Sequence, residues 1–208
     1  MVVAATSKLM LRGECAPVSF LSWHSSKIGR VCTSPGSSEA AAAVNTEDLL
    51  FFARFQMAEL LGRPVNIRNI HPAVNSIPGV LVVDSRNVYD KLATEVVSTK
   101  GAEKRVDLTL MRIKEAQQVN GVQVRWVHSD AQLANSLTKG KELRQIMLFY
   151  EMGQFWRIVE DETMSSARRR KQKGQLPLEH YYPSVDEMNK QQQTKQLQQS
   201  KCYHQKPY

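Results

Sequence analysis

A chain of 208 residues has room for one full domain and a tail, and a hydrophobic content of 42% is enough for one core. No apolar run reaches the ~20 residues that a membrane helix needs, which sets aside an integral membrane helix. The formal net charge of +8 is uneven: residues 163–208 hold nine Lys or Arg against three Asp or Glu, and the preceding residues hold 19 against 17.

The folded part is thus close to neutral and the basic character belongs to the end of the chain, a pattern that favours polyanion partners, nucleic acid first. Cys15, Cys32 and Cys202 show neither a CxxC pair nor Cys/His ligand spacing. Their odd number, without a secretory signal, points to free thiols in a reducing compartment, cytoplasmic or nuclear. The first 38 residues carry Lys8, Arg12, Lys27 and Arg30 against Glu14 alone, a composition that imitates a transit peptide. Period-two segments within it favour strands instead.

In chain order, Val2 to Arg12 reads as a strand stopped by Gly13. Pro17 to Trp23 reads as a second, with Val18 and Phe20 on one face and Leu21 and Trp23 on the other, a central strand covered on both sides. Lys27 to Thr33 is a strand or a loop, and Ser34 to Ser37 is a turn cluster. Ser38 then serves as N-cap of a long helix through Leu49, Phe52, Gln56 and Leu60, with a bend near Asn45 and Thr46 and an end at Gly62 and Pro64. Val80 to Val83 is a short interior strand ending at Asp84, and Ser85 to Leu92 begins another helix.

Val106, Leu110 and Ile113 place an amphipathic helix over Glu103 to Gln118. Val122, Val124 and Trp126 alternate as a strand. Ser129 and Gln132 make a capping box for a helix whose Leu133 and Leu137 pack inward and whose Asn135 faces a neighbouring pocket. Leu143, Ile146, Met147 and Tyr150 mark a last helix closed by Gly153, and Phe155 to Val159 packs back. Residues 1–160 form the domain. Residues 161–208 contain SARRRKQK and six glutamines between Gln191 and Ser200, cannot bury a core, and are expected to be disordered. The order of elements predicts an α/β chain with one mixed sheet and helices on its faces.

Three segments resemble, in order and spacing, the ribonuclease H domain that closes the Pol polyprotein of copia-type LTR retrotransposons. They are FLSWHSSKIGRVCTSPGSSEA, GVLVVDSRNVYDKL and VRWVHSDAQLANSLTK; the last is similar to a family segment ending in QLAD, two residues, then TK. The resemblance runs to about Lys173 and implies a ribonuclease H-like fold, truncated at its N-terminal side. It also implies two-metal hydrolysis of the RNA strand of an RNA/DNA hybrid, with magnesium or manganese held by four acidic residues, beside an upstream reverse transcriptase portion. Carried over, the helix glutamate falls on Glu39 and the strand-end aspartate on Asp84, both as catalytic metal ligands. The last aspartate falls on Asn135, a catalytic position that has lost its charge, and the first lies on a strand upstream of Val2 that is missing here. Two of four carboxylates survive, so hydrolysis is expected to be impaired. The alternative is a non-catalytic nucleic-acid-binding remnant that uses Arg168, Arg169, Arg170, Lys171 and Lys173.

On residues alone there are plainer readings. Asp84 could cap the helix that starts at Ser85 or Arg86, and Glu39 could complement the dipole of a first helical turn. Asn135 could be an ordinary helix residue, His128 a polar loop histidine, and the basic run a solvated tail.

Overall fold

The computed structural model describes residues 1–25, 32, 34–94, 104–137, 143–159 and 171–174. Strand β1 (Val2–Thr6) and strand β2 (Ala16–Trp23) form an antiparallel pair with a register shift between Val3 and Ala4. The first strand is shorter than its apolar pattern predicts, because Met10–Arg12 turn into a 3₁₀ segment closed by Gly13 at φ 76°. That turn carries Met10 into the core. The short strand β5 (Phe155–Trp156) pairs with the other edge of β2 at Ala16 and Pro17, which makes β2 the central strand of its sheet. Only its first half is covered on a face: Val18 is buried, whereas Leu21 and Trp23 are 48% and 66% exposed, so the expected two-sided cover stops short.

Helix α1 (Pro35–Leu60) starts four residues earlier than its alanine run suggests. Ser34, not Ser38, is the N-cap: its Oγ accepts from the Ser37 N–H at 3.2 Å, and Pro35 fits the first helical position, where its missing N–H costs nothing. The helix runs on without interruption past Asn45 and Thr46. The Thr46 hydroxyl donates to the Ala42 carbonyl at 2.7 Å, back along the same helix, instead of capping a new one. A short helix α2 (His71–Asn75) follows, then β3 (Gly79–Val83), α3 (Arg86–Ala93), α4 (Lys104–Asn120) and β4 (Val122–Trp126). Strands β3 and β4 run parallel in register from Gly79 opposite Val122 to Val83 opposite Trp126, as a crossover through helices requires.

Beyond β4 the chain does not form the expected capped α-helix. It makes two 3₁₀ segments, Ser129–Ala131 and Leu133–Leu137, because the side chains of Ser129 and Gln132 bond across to β3 and its end rather than to the helix start. Helix α5 (Arg144–Glu151) buries Gln145 and Phe149. Leu143, Met147 and Tyr150 are 54–59% exposed, whereas Ile146 packs with Phe149 and Met152 against the core.

The chain is α/β, and its described residues form two small sheets, β1-β2-β5 and β3-β4, where one mixed sheet was expected. Two cores lie on opposite faces of β3-β4. Leu81, Val83 and Val122 pack with Ala40, Val44, Val88, Leu110 and Ile113 of the helices. Val82 and Val127 lie with Met10, Val18, Leu133, Phe149 and Trp156, where Phe149 stacks on Phe20 at 4.8 Å between ring centroids. No described helix is long and apolar enough to cross a membrane. Cys15 and Cys32 form no disulfide, and Cys202 lies outside the described residues.

Candidate functional site

Strand β1 ends one sheet and β3 ends the other, and the two are not hydrogen-bonded to each other. Between them lies a cleft of about 800 Å³, walled by Val2 to Thr6 on one side and Val80 to Val83 on the other. Small residues of α1, among them Ala42, Ala43 and Ala53, form part of its lining, and Gln132 to Asn135 another part. Glu39, Asp84 and Asn135 all line this same cleft, although they come from a helix, a strand end and a 3₁₀ turn.

Asp84 stands just beyond the C-terminal end of β3 and is half-buried. It does not cap α3. Ser85 does so, its Oγ accepting from the Val88 N–H at 3.5 Å. The Asp84 carboxylate instead accepts from the Ser129 hydroxyl at 3.0 Å, and its carbonyl accepts from the Trp126 indole N–H at 3.2 Å. Parallel pairing sets the ends of β3 and β4 side by side, which is why the turn after β4 reaches the end of β3.

Asn135 is half-buried, and its Nδ2 donates to the Ser129 carbonyl at 2.7 Å. Ser129 therefore joins the two polar positions, its hydroxyl on Asp84 and its carbonyl on Asn135. As a capping-box serine it was assigned to the wrong partner, and no local sequence signal shows a bond spanning 45 residues. Glu39 is exposed and sits on the fifth residue of α1, beyond the first turn, where no acidic residue is found. The dipole reading of Glu39 therefore loses its basis.

A pair of divalent ions ~3.5–4 Å apart needs several oxyanion ligands converging on them. Among the described residues no group of three His, Cys, Asp or Glu could hold a metal ion. The donors in place are two carboxylates and one amide whose nitrogen is turned to a backbone carbonyl. This set does not fit a two-metal centre.

A second polar feature, which sequence reading missed, lines the cleft farther along α1. Arg54 is only 3% exposed; its Nε donates to the Ile77 carbonyl and its Nη2 to the Asn120 carbonyl, both at 2.7 Å. Asn120 Oδ1 lies 2.7 Å from His71 Nδ1, so one cation ties α1 to α2, to the start of β3 and to the end of α4. Burial holds the Arg54 guanidinium below its usual range, against an opposing pull from Glu47. The one sequence hint is an arginine set among aromatic neighbours in FFARF.

Lys171 and Lys173 are exposed in a short turn closed at Gly174, and Arg168, Arg169 and Arg170 lie outside the described residues, as does most of the expected disordered tail. His128 packs edge-on to Trp126, with ring centroids 6.3 Å apart. Comparisons of the chain with protein-family models, with curated proteins and with solved structures found no match.

Proposed function

We propose that this chain is a ribonuclease H-like domain of the copia-type retrotransposon kind whose own residues do not sustain cleavage of RNA/DNA hybrids. One observation carries the reading: Glu39, Asp84 and Asn135, named from three separate sequence segments, line a single cleft that runs along β3 and takes in Asp84 beyond its C-terminal end. Ligand sites in α/β chains characteristically gather outside the carboxyl ends of parallel strands, which is where Asp84 stands. The impairment follows from the donor set. Two carboxylates and a neutral amide leave too little negative charge to hold two dications, and magnesium binds protein sites loosely even when they are complete.

A labelled RNA/DNA hybrid incubated with the full chain and magnesium or manganese tests this reading. The expected outcome is no RNA-strand product above the buffer control. Robust cleavage that disappears in Asp84→Ala would overturn the impairment and leave an active nuclease.

The charge distribution favours a second reading, a nucleic-acid-binding protein without catalysis. Residues 163–208 contribute +6 of the net +8, and clustered Lys and Arg bind phosphates by releasing condensed counterions. The two readings are compatible in one chain and separate in the assay: binding persists without divalent metal, and cleavage does not.

A further inference from the structure

The cleft between the two sheets has the form of a vacant strand position. Among the described residues, strand β1 is paired on its β2 side only and β3 on its β4 side only, so each turns its other edge to the cleft. The orientation of the β3 edge follows from one bond. The Val83 carbonyl accepts from the Val127 N–H at 3.0 Å, on the β4 side. Backbone groups alternate sides along a strand, so the N–H and C=O of Val80 and Val82 point the other way, into the cleft. There the Val82 carbonyl accepts from the Gln132 side-chain amide at 3.3 Å. An amide side chain thus stands where the N–H of a neighbouring strand would stand.

We propose that this cleft is an acceptor for an extended peptide strand, which pairs with the edges of β1 and β3 and joins the two sheets into one. Backbone pairing on both walls selects an extended peptide over a helix, a lipid or a small apolar molecule, none of which offers N–H and C=O groups at strand spacing. The side-chain chemistry is set by the neighbouring strand. Strand β3 is covered on both faces, Leu81 and Val83 entering one core and Val82 the other. A strand beside it meets the same two layers, α1 below and Val127 with Leu133 above, so its residues are apolar at every position, as in VLVV of β3, rather than alternating. The partner is a run of about five β-branched residues, roughly 17 Å long, matching both edges.

The probe is a synthetic Val-Ile-Val-Ile-Val peptide flanked by lysines for solubility, added to the full chain. Binding is followed by fluorescence anisotropy and by amide hydrogen exchange. Saturable binding is expected, with new protection at Val2 to Thr6 and at Val80 and Val82. The same peptide N-methylated at alternate residues is expected to bind roughly tenfold more weakly or worse, because it cannot pair with one edge. Gln132→Ala frees the Val82 carbonyl and is expected to tighten binding. This variant alters a half-buried residue and keeps the core intact.

Equal binding of the N-methylated peptide would overturn the proposal, since apolar adsorption alone would then explain it. Protection confined to residues outside the two edges would do so as well. Full protection of both edges before any peptide is added would also sink it, because a segment of the chain or a second copy would then hold the cleft. Sedimentation at several concentrations separates those two occupants. None of these outcomes depends on metal binding or hydrolysis.

Discussion

The Ser129 hydroxyl donates to the Asp84 carboxylate at 3.0 Å, and the carbonyl of the same serine accepts from Asn135. The first bond spans two parallel strand ends and fixes the carboxylate against the cleft wall. Hydrogen bonds to charged groups contribute about 1.5–3 kcal/mol when buried and less when half-exposed. Ser129→Ala is therefore expected to lower stability by about 1 kcal/mol, read as a shift of the urea midpoint at constant slope. Asp84→Asn, which keeps an acceptor, should cost less than Asp84→Ala. An unchanged midpoint in Ser129→Ala would mean that the bond is not formed in solution.

Gly79 opens β3 beside the buried Arg54. A Cβ at Gly79 would lie 2.8 Å from Arg54 Cδ and 2.9 Å from Nε. Two hydrogen bonds of 2.7 Å pin that guanidinium, so it cannot swing aside as a surface arginine would. Gly79→Ala is expected to destabilise by roughly 1–3 kcal/mol. Arg54→Ala removes the obstacle as well as the two bonds, so the double variant should be less destabilised than the sum of the singles. Simple additivity in that cycle would show that the clash is not the cause.

What was legible in the sequence was local. The run of Val80 to Val83, the alternation at Val122 to Trp126 and the spacing of Val106, Leu110 and Ile113 place β3, β4 and α4 close to where they lie. Errors arose where a polar side chain had two possible partners. Ser34 and Ser38 both suit an N-cap, and only Pro35 at the first helical position distinguishes them. Ser129 and Gln132 have capping-box spacing, yet both are drawn to β3 once parallel pairing brings that strand alongside. The apolar residues that mark α5 do not by themselves say which of them face inward: Ile146 does, Met147 and Tyr150 do not, and contact with Phe20 and Trp156 selects the stripe through Phe149. Arg54 carries little sequence signal beyond its aromatic neighbours because its partners are backbone carbonyls, which any sequence supplies.

Glu47 is 5% exposed, and its Oε1 has no hydrogen-bond partner among the described residues. Burial, then the nearby Asp48 charge, pushes its carboxyl above the ordinary value of 4.5, while Arg112 and Arg54 pull it back. A raised folded-state pKa means that the native chain holds this proton more tightly than the unfolded chain. Its contribution is therefore most favourable below pH 4.5 and declines as pH rises through the raised folded value. Glu47→Gln removes the titration and keeps the shape. The variant should melt above wild type at pH 7, and the difference should shrink as the pH falls below the ordinary glutamate value. A difference that is constant with pH would assign the effect to packing.

Residues 168–173 place five cations within six positions. If all five meet phosphates, the slope of log K against log salt steepens by about 0.9 for each cation on duplex and about 0.7 on single strands. Replacing Arg168, Arg169, Arg170, Lys171 and Lys173 with glutamine should therefore flatten the slope by about 3–5. The loss should be uniform across nucleic-acid sequences, because phosphate contacts carry no base information. A slope that is unchanged would remove the basic run from the interface and leave the near-neutral domain to account for any binding.

Asn135→Asp addresses the cleft most directly, because it restores a carboxylate at the position where the family resemblance expects one. Without metal the change is unfavourable twice over: the Nδ2 donor to the Ser129 carbonyl is lost, and a negative charge is set facing that carbonyl. A destabilisation of about 1–3 kcal/mol is expected in chelator-treated buffer. With magnesium the sign of the electrostatics reverses, since the cleft then offers three carboxylates, Glu39, Asp84 and the new one. Ligand that binds only the native state stabilises it by RT ln(1 + [L]/Kd), so millimolar magnesium should raise the melting temperature of the variant more than that of wild type. Thermal melts of both proteins, with and without the ion, read this directly. If magnesium moves neither protein, the shared cleft of Glu39, Asp84 and Asn135 is packing geometry, and the nuclease reading loses the observation that carries it.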